Sequence, residues 1–230
     1  MSIEEKLASL SLGDESALVA SVKGDGIEKS GLASSIEGLA AKCSSKDEKE
    51  ALAGLALAKS LAEGCPEAQM LTKVCLGPCL EQAGSKSKAV KEAAAETALA
   101  ICAGTNPFGI KCLLPILFAE LPVEKKWPIR ELALKCIASL GVTAPKQLGN
   151  ALPEVVPEVT ACMWDTKKQI KQAATAAMRE ALKVIGNKDI EHMTEKILIA
   201  ISKPKEVPEI MHEMAGVTFV QVSEKKCCHV

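Results

Sequence analysis

The stretch K-A-V-K-E-A-A-A-E-T-A-L-A-I, Lys88 to Ile101, decides the fold because two later stretches repeat its plan. They are W-P-I-R-E-L-A-L-K-C-I-A-S-L, Trp127 to Leu140, and K-Q-I-K-Q-A-A-T-A-A-M-R-E-A, Lys168 to Ala181. Counted from Val90, Ile129 and Ile170, small or apolar residues recur at offsets 0, 3, 4, 7 and 8. The sets are Val90, Ala93, Ala94, Thr97, Ala98; Ile129, Leu132, Ala133, Cys136, Ile137; and Ile170, Ala173, Ala174, Ala177, Met178. A base follows each origin: Lys91, Arg130 and Lys171. One face of an α-helix is thus written three times, about forty residues apart.

A second helical series is interleaved with this one, with origins at Leu32, Leu71, Ile110, Leu148 and Ile190. Its members are the A helices and the first series the B helices. Pro78, Pro115, Pro153 and Pro157 fall inside A helices and are expected to bend them, since proline removes a hydrogen bond and crowds the preceding turn. Pro66, Pro107 and Pro145 are expected to open A helices, where a missing N–H costs little. Weaker B copies lie upstream, at Ala51, Leu52, Leu55 and Ala56 counted from Glu48, and downstream, at Val207, Ile210, Met211, Met214 and Ala215. Five A/B pairs result, near 26–63, 66–103, 106–142, 145–185 and 187–221. No single pair buries its own apolar stripe, so the pairs are expected to stack into a right-handed solenoid. Residues 1–25, closed by Gly24-Asp25-Gly26, read as an N-terminal helical cap, 26–221 as the repeat domain and 222–230 as a polar tail.

Composition agrees. Of the 230 residues 48% are apolar, yet there are three Phe, two Trp and no Tyr, which suits closely packed helices. Neither a membrane span nor a secretory leader is legible. Among the ten Cys, Cys43, Cys75, Cys79, Cys102, Cys112, Cys136 and Cys162 fall on predicted helix faces as small apolar residues, which favours a reducing, cytoplasmic setting. Net charge is −1 but uneven: −5 over residues 1–83, +6 over 84–205 and −2 over 206–230.

The basic excess gathers in the turns between A and B helices. These read G-S-K-S-K (84–88), E-K-K-W (124–127), D-T-K-K (165–168) and K-P-K (203–205), each with two lysines: Lys86 and Lys88, Lys125 and Lys126, Lys167 and Lys168, Lys203 and Lys205. Equivalent turns of a solenoid lie along one edge, so a basic ridge is expected. Lysine opposes the positive end of a helix dipole, and its repetition there points to an anionic partner, most simply phosphates. Solvated turns also favour lysine, which is the plainer explanation. Trp127 and Trp164 stand at turn ends, where a tryptophan either anchors a partner or packs between pairs. Asp165 is expected to cap the fourth B helix.

Catalytic chemistry is not legible. Cys75 and Cys79 share a helical face at a metal-compatible spacing, but no further ligand is placed to join them, so no metal is expected. His192 and His212 have no acid or nucleophile nearby in sequence, and G-D-G-I-E-K-S-G (24–31) has the wrong order for a phosphate-binding loop. No enzyme and no cofactor are expected. The chain ends K-K-C-C-H-V, placing Cys227 fourth from the end after two lysines, as in a prenylation signal, although His229 fits its pattern poorly.

The strings V-C-L-G-P-C-L-E-Q-A-G-S-K-S-K-A-V-K-E-A-A (74–94), E-K-K-W-P-I-R (124–130), A-P-K-Q-L-G-N-A-L-P-E-V-V-P-E-V-T-A-C-M-W-D-T-K-K (144–168), N-K-D-I-E (187–191) and E-V-P-E-I-M-H-E-M-A-G-V-T-F-V-Q (206–221) resemble the HEAT domain of translation elongation factor three. The HEAT segment of the general-control ribosome-binding protein is similar. The likeness is dense from about residue 70 to 221 and weak before it. It implies an all-α HEAT-repeat α-solenoid of about five antiparallel helix pairs in a cytoplasmic, ribosome-associated protein. In that family the domain docks on ribosomal protein and RNA. No counterpart of the factor's two ATP-binding cassettes or chromodomain occurs here, so its ATPase and tRNA-release activities do not carry over. The resulting expectation is a non-enzymatic binding module, stand-alone or part of something longer, docking on a ribosome or another RNA-rich assembly through its lysine edge. The alternative expectation is a protein-interaction scaffold no longer tied to translation, held at a membrane through a prenylated Cys227.

Overall fold

The B helices are long and unbroken because nothing in their sequences interrupts an apolar stripe. In a computed structural model that describes residues 13–183 they are α3 (Glu48–Gly64), α6 (Lys88–Gly104), α8 (Trp127–Thr143) and α11 (Lys168–Leu182). They pack side by side in chain order, α3 on α6, α6 on α8 and α8 on α11. Asp47 caps α3 by accepting from the N–H of Glu50 at 3.0 Å, and the Ser87 hydroxyl caps α6 by accepting from that of Val90 at 3.4 Å.

The A helices are segmented. The first, α2 (Leu32–Cys43), follows a helix α1 (Glu15–Ser30) that kinks at Gly26, with φ 75° and ψ 168°, so helical residues run on past Gly24-Asp25-Gly26. The second runs as a 3₁₀ turn (Pro66–Ala68), α4 (Gln69–Thr72), another 3₁₀ turn (Lys73–Cys75) and α5 (Leu76–Gln82). The third is a 3₁₀ segment (Pro107–Cys112) followed by α7 (Leu114–Phe118); the fourth is α9 (Pro145–Asn150) followed by α10 (Leu152–Met163). Pro66, Pro107 and Pro145 each occupy a first position, as expected.

The internal prolines act differently from the expected bend. Pro115 and Pro153 open the second segment of a broken helix, and Pro78 lies in the first turn of α5. First-turn N–H groups have no intrahelical acceptor, so proline there removes nothing. Of these four, Pro157 alone stands inside a helix.

The core is one continuous cluster from Leu18 to Ala181, running between the two rows of helices. All fifteen B-helix residues named above are buried except Ala93 and Met178, which are partly so. Neighbouring B helices approach closely. A Cβ added to Gly104 at the end of α6 would lie 2.6 Å from the Ala62 carbonyl oxygen of α3, and one on Gly141 in α8 would lie 2.8 Å from Glu180 Cβ of α11. Thr97, fully buried, shares its hydroxyl proton between the carbonyls of Ala93, 2.8 Å, and Leu55 in α3, 3.1 Å.

Three local expectations are corrected. Counting from its cap, α3 has its origin at Glu50, and Ala53, Gly54, Leu57 and Ala58 are all buried; the register from Glu48 was two residues early. Val74, three residues after the origin Leu71 and so expected on its inward face, and Cys112, expected on a helix face as a small apolar residue, are exposed, because 3₁₀ turns shift the 3.6-residue period. The other seven described cysteines are buried free thiols. Residues 1–12, the fifth pair at 187–221, the tail at 222–230 and Lys203, Lys205, His192, His212 and Cys227 lie outside the described residues. Among the described residues there is no strand, and no helix is long and apolar enough to cross a membrane.

Candidate functional site

Each A-to-B turn is tied to the next by a side chain. Gln82 donates to the carbonyl of Ser45 at 3.0 Å, and the Ser87 hydroxyl donates to Glu48 at 2.8 Å, joining the turns at 44–47 and 83–87. Lys126 donates to the Gly84 carbonyl at 3.3 Å, joining 83–87 to 119–126. Arg130 meets Asp165 at 2.6 Å, joining that turn to 164–167. The four described turns therefore stand side by side along one edge, about 8–10 Å apart by ordinary helix packing.

Six of the eight lysines expected on the ridge fall at these turns, Lys86, Lys125, Lys126 and Lys167 within them and Lys88 and Lys168 on the first helical residue that follows. They are not equivalent. Lys86, Lys167 and Lys168 are exposed, and no ion pair engages them among the described residues. Lys88 makes a loose exposed pair with Glu92 at 3.6 Å, worth little in water. Lys126 is committed in part to the Gly84 carbonyl. Lys125 is withdrawn: its ammonium lies 3.0 Å and 2.9 Å from the two oxygens of Glu120, a largely buried carboxylate. Glu120 holds the Lys125 ammonium above the usual lysine range by accepting its hydrogen bond.

Counting from the helix caps adds a residue missed from sequence. Lys46, Lys86 and Lys125 each immediately precede an N-cap (Asp47, Ser87 and Lys126), and Lys46 is exposed. The mistaken register of the first B helix concealed it.

The cap expected of Asp165 is a turn instead. Lys167 is the N-cap, and Asp165 accepts its backbone N–H at 2.7 Å while pairing with Arg130. Both side chains are buried, at 5% exposure for Arg130 and 6% for Asp165, and Arg130 Nε also donates to the Leu121 carbonyl at 2.7 Å. The Lys167 N–H and then the Arg130 guanidinium hold the Asp165 carboxyl below the usual aspartate range. Of the three repeated bases, only Arg130 is buried; Lys91 is half-buried and Lys171 exposed. Sequence gave no sign of which would turn inward. Trp164 is 83% exposed and so is not consumed by packing between pairs, whereas Trp127, at 43%, is more than half covered.

Cys75 and Cys79 lie in the core beside Cys43, and the hydrogen bond with Cys43, together with burial, pushes the Cys75 thiol well up. Among the described residues no group of three or more His, Cys, Asp or Glu is placed to hold a metal ion.

A family model described as "EF3 N-terminal HEAT repeat" matches residues 14–178. The chain belongs to that family. The match to the EF3 N-terminal HEAT repeat takes in α1 and the first pair, well before residue 70, where the resemblance becomes dense in sequence. Among curated relatives, elongation factor 3 of Phytophthora infestans is 41% identical over 145 residues, 63% of this chain and 14% of that protein. Elongation factor 3 of Candida albicans is 36% identical over 187 residues, 80% of this chain and 18% of that protein. Elongation factor 3A of Saccharomyces cerevisiae is 39% identical over 138 residues, 60% of this chain and 13% of that protein. The chain thus spans less than a fifth of the length of these relatives. It is an EF3-like HEAT module, an all-helical α-solenoid.

Proposed function

We propose that this HEAT module is a non-enzymatic docking element of the translation machinery, active in the cytoplasm, that presents its A-to-B edge to ribosomal RNA phosphates. The carrying observation is the alignment of four turns on one edge with Lys86, Lys88, Lys167 and Lys168 free of structural duty. Lys126 contributes partly, and Lys125 serves the fold through Glu120. Lys203 and Lys205 extend the edge if a further pair continues the series. Family membership supports a ribosomal partner, since the named relatives are elongation factors.

Reversing Lys86, Lys88, Lys167 and Lys168 to Glu is expected to abolish salt-sensitive co-sedimentation with ribosomes and to leave helical circular dichroism intact. Each lost phosphate contact lowers the salt slope by about 0.9 on duplex RNA if it behaves as B-DNA does. Unchanged sedimentation overturns the reading.

A second reading, a protein-interaction scaffold, draws on the opposite edge, where Phe108 is 85% exposed and Val142 is also exposed beside the B-to-A turns. It predicts that Phe108→Ser, not lysine reversal, removes the partners recovered from native extract. A prenylated Cys227 belongs to this reading and is tested by the intact mass of native protein.

A further inference from the structure

Both tryptophans of the chain lie on the lysine edge, and they flank the buried ion pair of Arg130 with Asp165. Trp127 stands three residues before Arg130 on α8, on the same side of the helix, and Trp164 immediately precedes Asp165. An 83% exposed indole leaves nearly all of its apolar surface in water. Its backbone is nevertheless fixed on the C-terminal side. The next residue, Asp165, donates its N–H to the Cys162 carbonyl at 3.2 Å, accepts from the Lys167 N–H at 2.7 Å and pairs with buried Arg130 at 2.6 Å. The turn that carries the indole loses little freedom when a ligand arrives, and preorganisation of this kind favours binding. Lys167 and Lys168 follow it, exposed and unpaired among the described residues.

An open aromatic face followed three and four residues on by two exposed lysines fits a nucleotide whose base has left its own stack. We infer that Trp164 is a base-stacking residue for unpaired RNA, with Lys167 and Lys168 on the flanking phosphates and Trp127 as a secondary platform on the adjoining turn. This rests on the docking proposal above and narrows it from RNA in general to a single-stranded or bulged segment. Duplex RNA hides its base faces and engages only the lysines. Stacking is tolerant of base identity, so the site selects for unpairing more than for sequence.

The test uses the full chain with two labelled RNAs of equal phosphate number, an oligoadenylate single strand and a perfect duplex. Affinity is read by anisotropy and stacking by quenching of tryptophan fluorescence. Trp164→Ala is expected to weaken single-strand binding roughly five- to a hundred-fold and to leave duplex binding unchanged. Trp164→Phe is expected to retain most single-strand affinity. Lys167→Glu with Lys168→Glu is expected to weaken both RNAs and flatten their salt dependence. If Trp164→Ala leaves single-strand affinity intact, or lowers both affinities equally, the stacking assignment is overturned while the docking edge stands. If the lysine variant binds both RNAs as the parent does, or neither RNA binds the parent, docking and stacking fall together. A Trp164→Ala protein that loses a protein partner but keeps RNA also overturns the assignment.

Discussion

Arg130 Nη1 lies 2.6 Å from Asp165 Oδ2, and Nε of the same guanidinium lies 2.7 Å from the Leu121 carbonyl, so one side chain holds its own turn and the next. With both side chains buried, removing one partner strands the other's charge. Asp165→Asn is expected to cost about 1–3 kcal/mol in urea unfolding. Arg130→Met combined with Asp165→Leu is expected to recover part of that loss, because a buried ion pair replaced by apolar side chains often leaves stability unchanged while the Leu121 carbonyl still loses its donor.

The same pair predicts an acid limit. The folded Asp165 carboxyl titrates below the ordinary aspartate value of 3.8, so its stabilisation is complete above that value. It is lost as pH falls through the folded value. Between neutral pH and acid, the stability of the parent should fall more steeply than that of the Met/Leu double variant, as measured by thermal unfolding.

Lys125 and its neighbours on the ridge should separate cleanly. Glu120 Oε2 is buried and sits 2.9 Å from the Lys125 ammonium, with no donor aligned on it among the described residues. Lys125→Met is therefore expected to lower the melting temperature and leave RNA affinity nearly unchanged. Lys86→Met is expected to do the reverse.

Gly104→Ala places a methyl group 2.6 Å from the Ala62 carbonyl oxygen, a backbone atom that cannot rotate away. The expected cost is about 1–3 kcal/mol in chemical denaturation, against the usual gain from replacing glycine in a helix. Gly38→Ala, in α2 with nothing within 4 Å, is expected to be neutral or stabilising.

The solenoid was legible because its inner row obeys a single period. Val90, Ile129 and Ile170 mark equivalent depths in three helices, and each is buried. The outer row was less legible because helical period fails wherever a 3₁₀ turn intervenes, and Val74 and Cys112 point outward for that reason. Turn positions of the lysines were readable, but their roles were not. Nothing local distinguishes Lys125, held by Glu120 five residues earlier, from exposed Lys167. Arg130 likewise looks like Lys91 and Lys171 until Asp165, thirty-five residues on, is folded against it.

The buried thiols give each layer its own chemical clock. Cys43 reports on the first pair, Cys75, Cys79 and Cys102 on the second, Cys136 on the third and Cys162 on the fourth, all shielded from reagent, whereas Cys112 is open. An alkylating agent added in excess will mark Cys112 at once and the others only when their layer breathes. Peptide mass mapping over time would then rank the layers by opening rate, with Cys112 as the internal zero, and would show whether the array frays from its margins or parts in the middle.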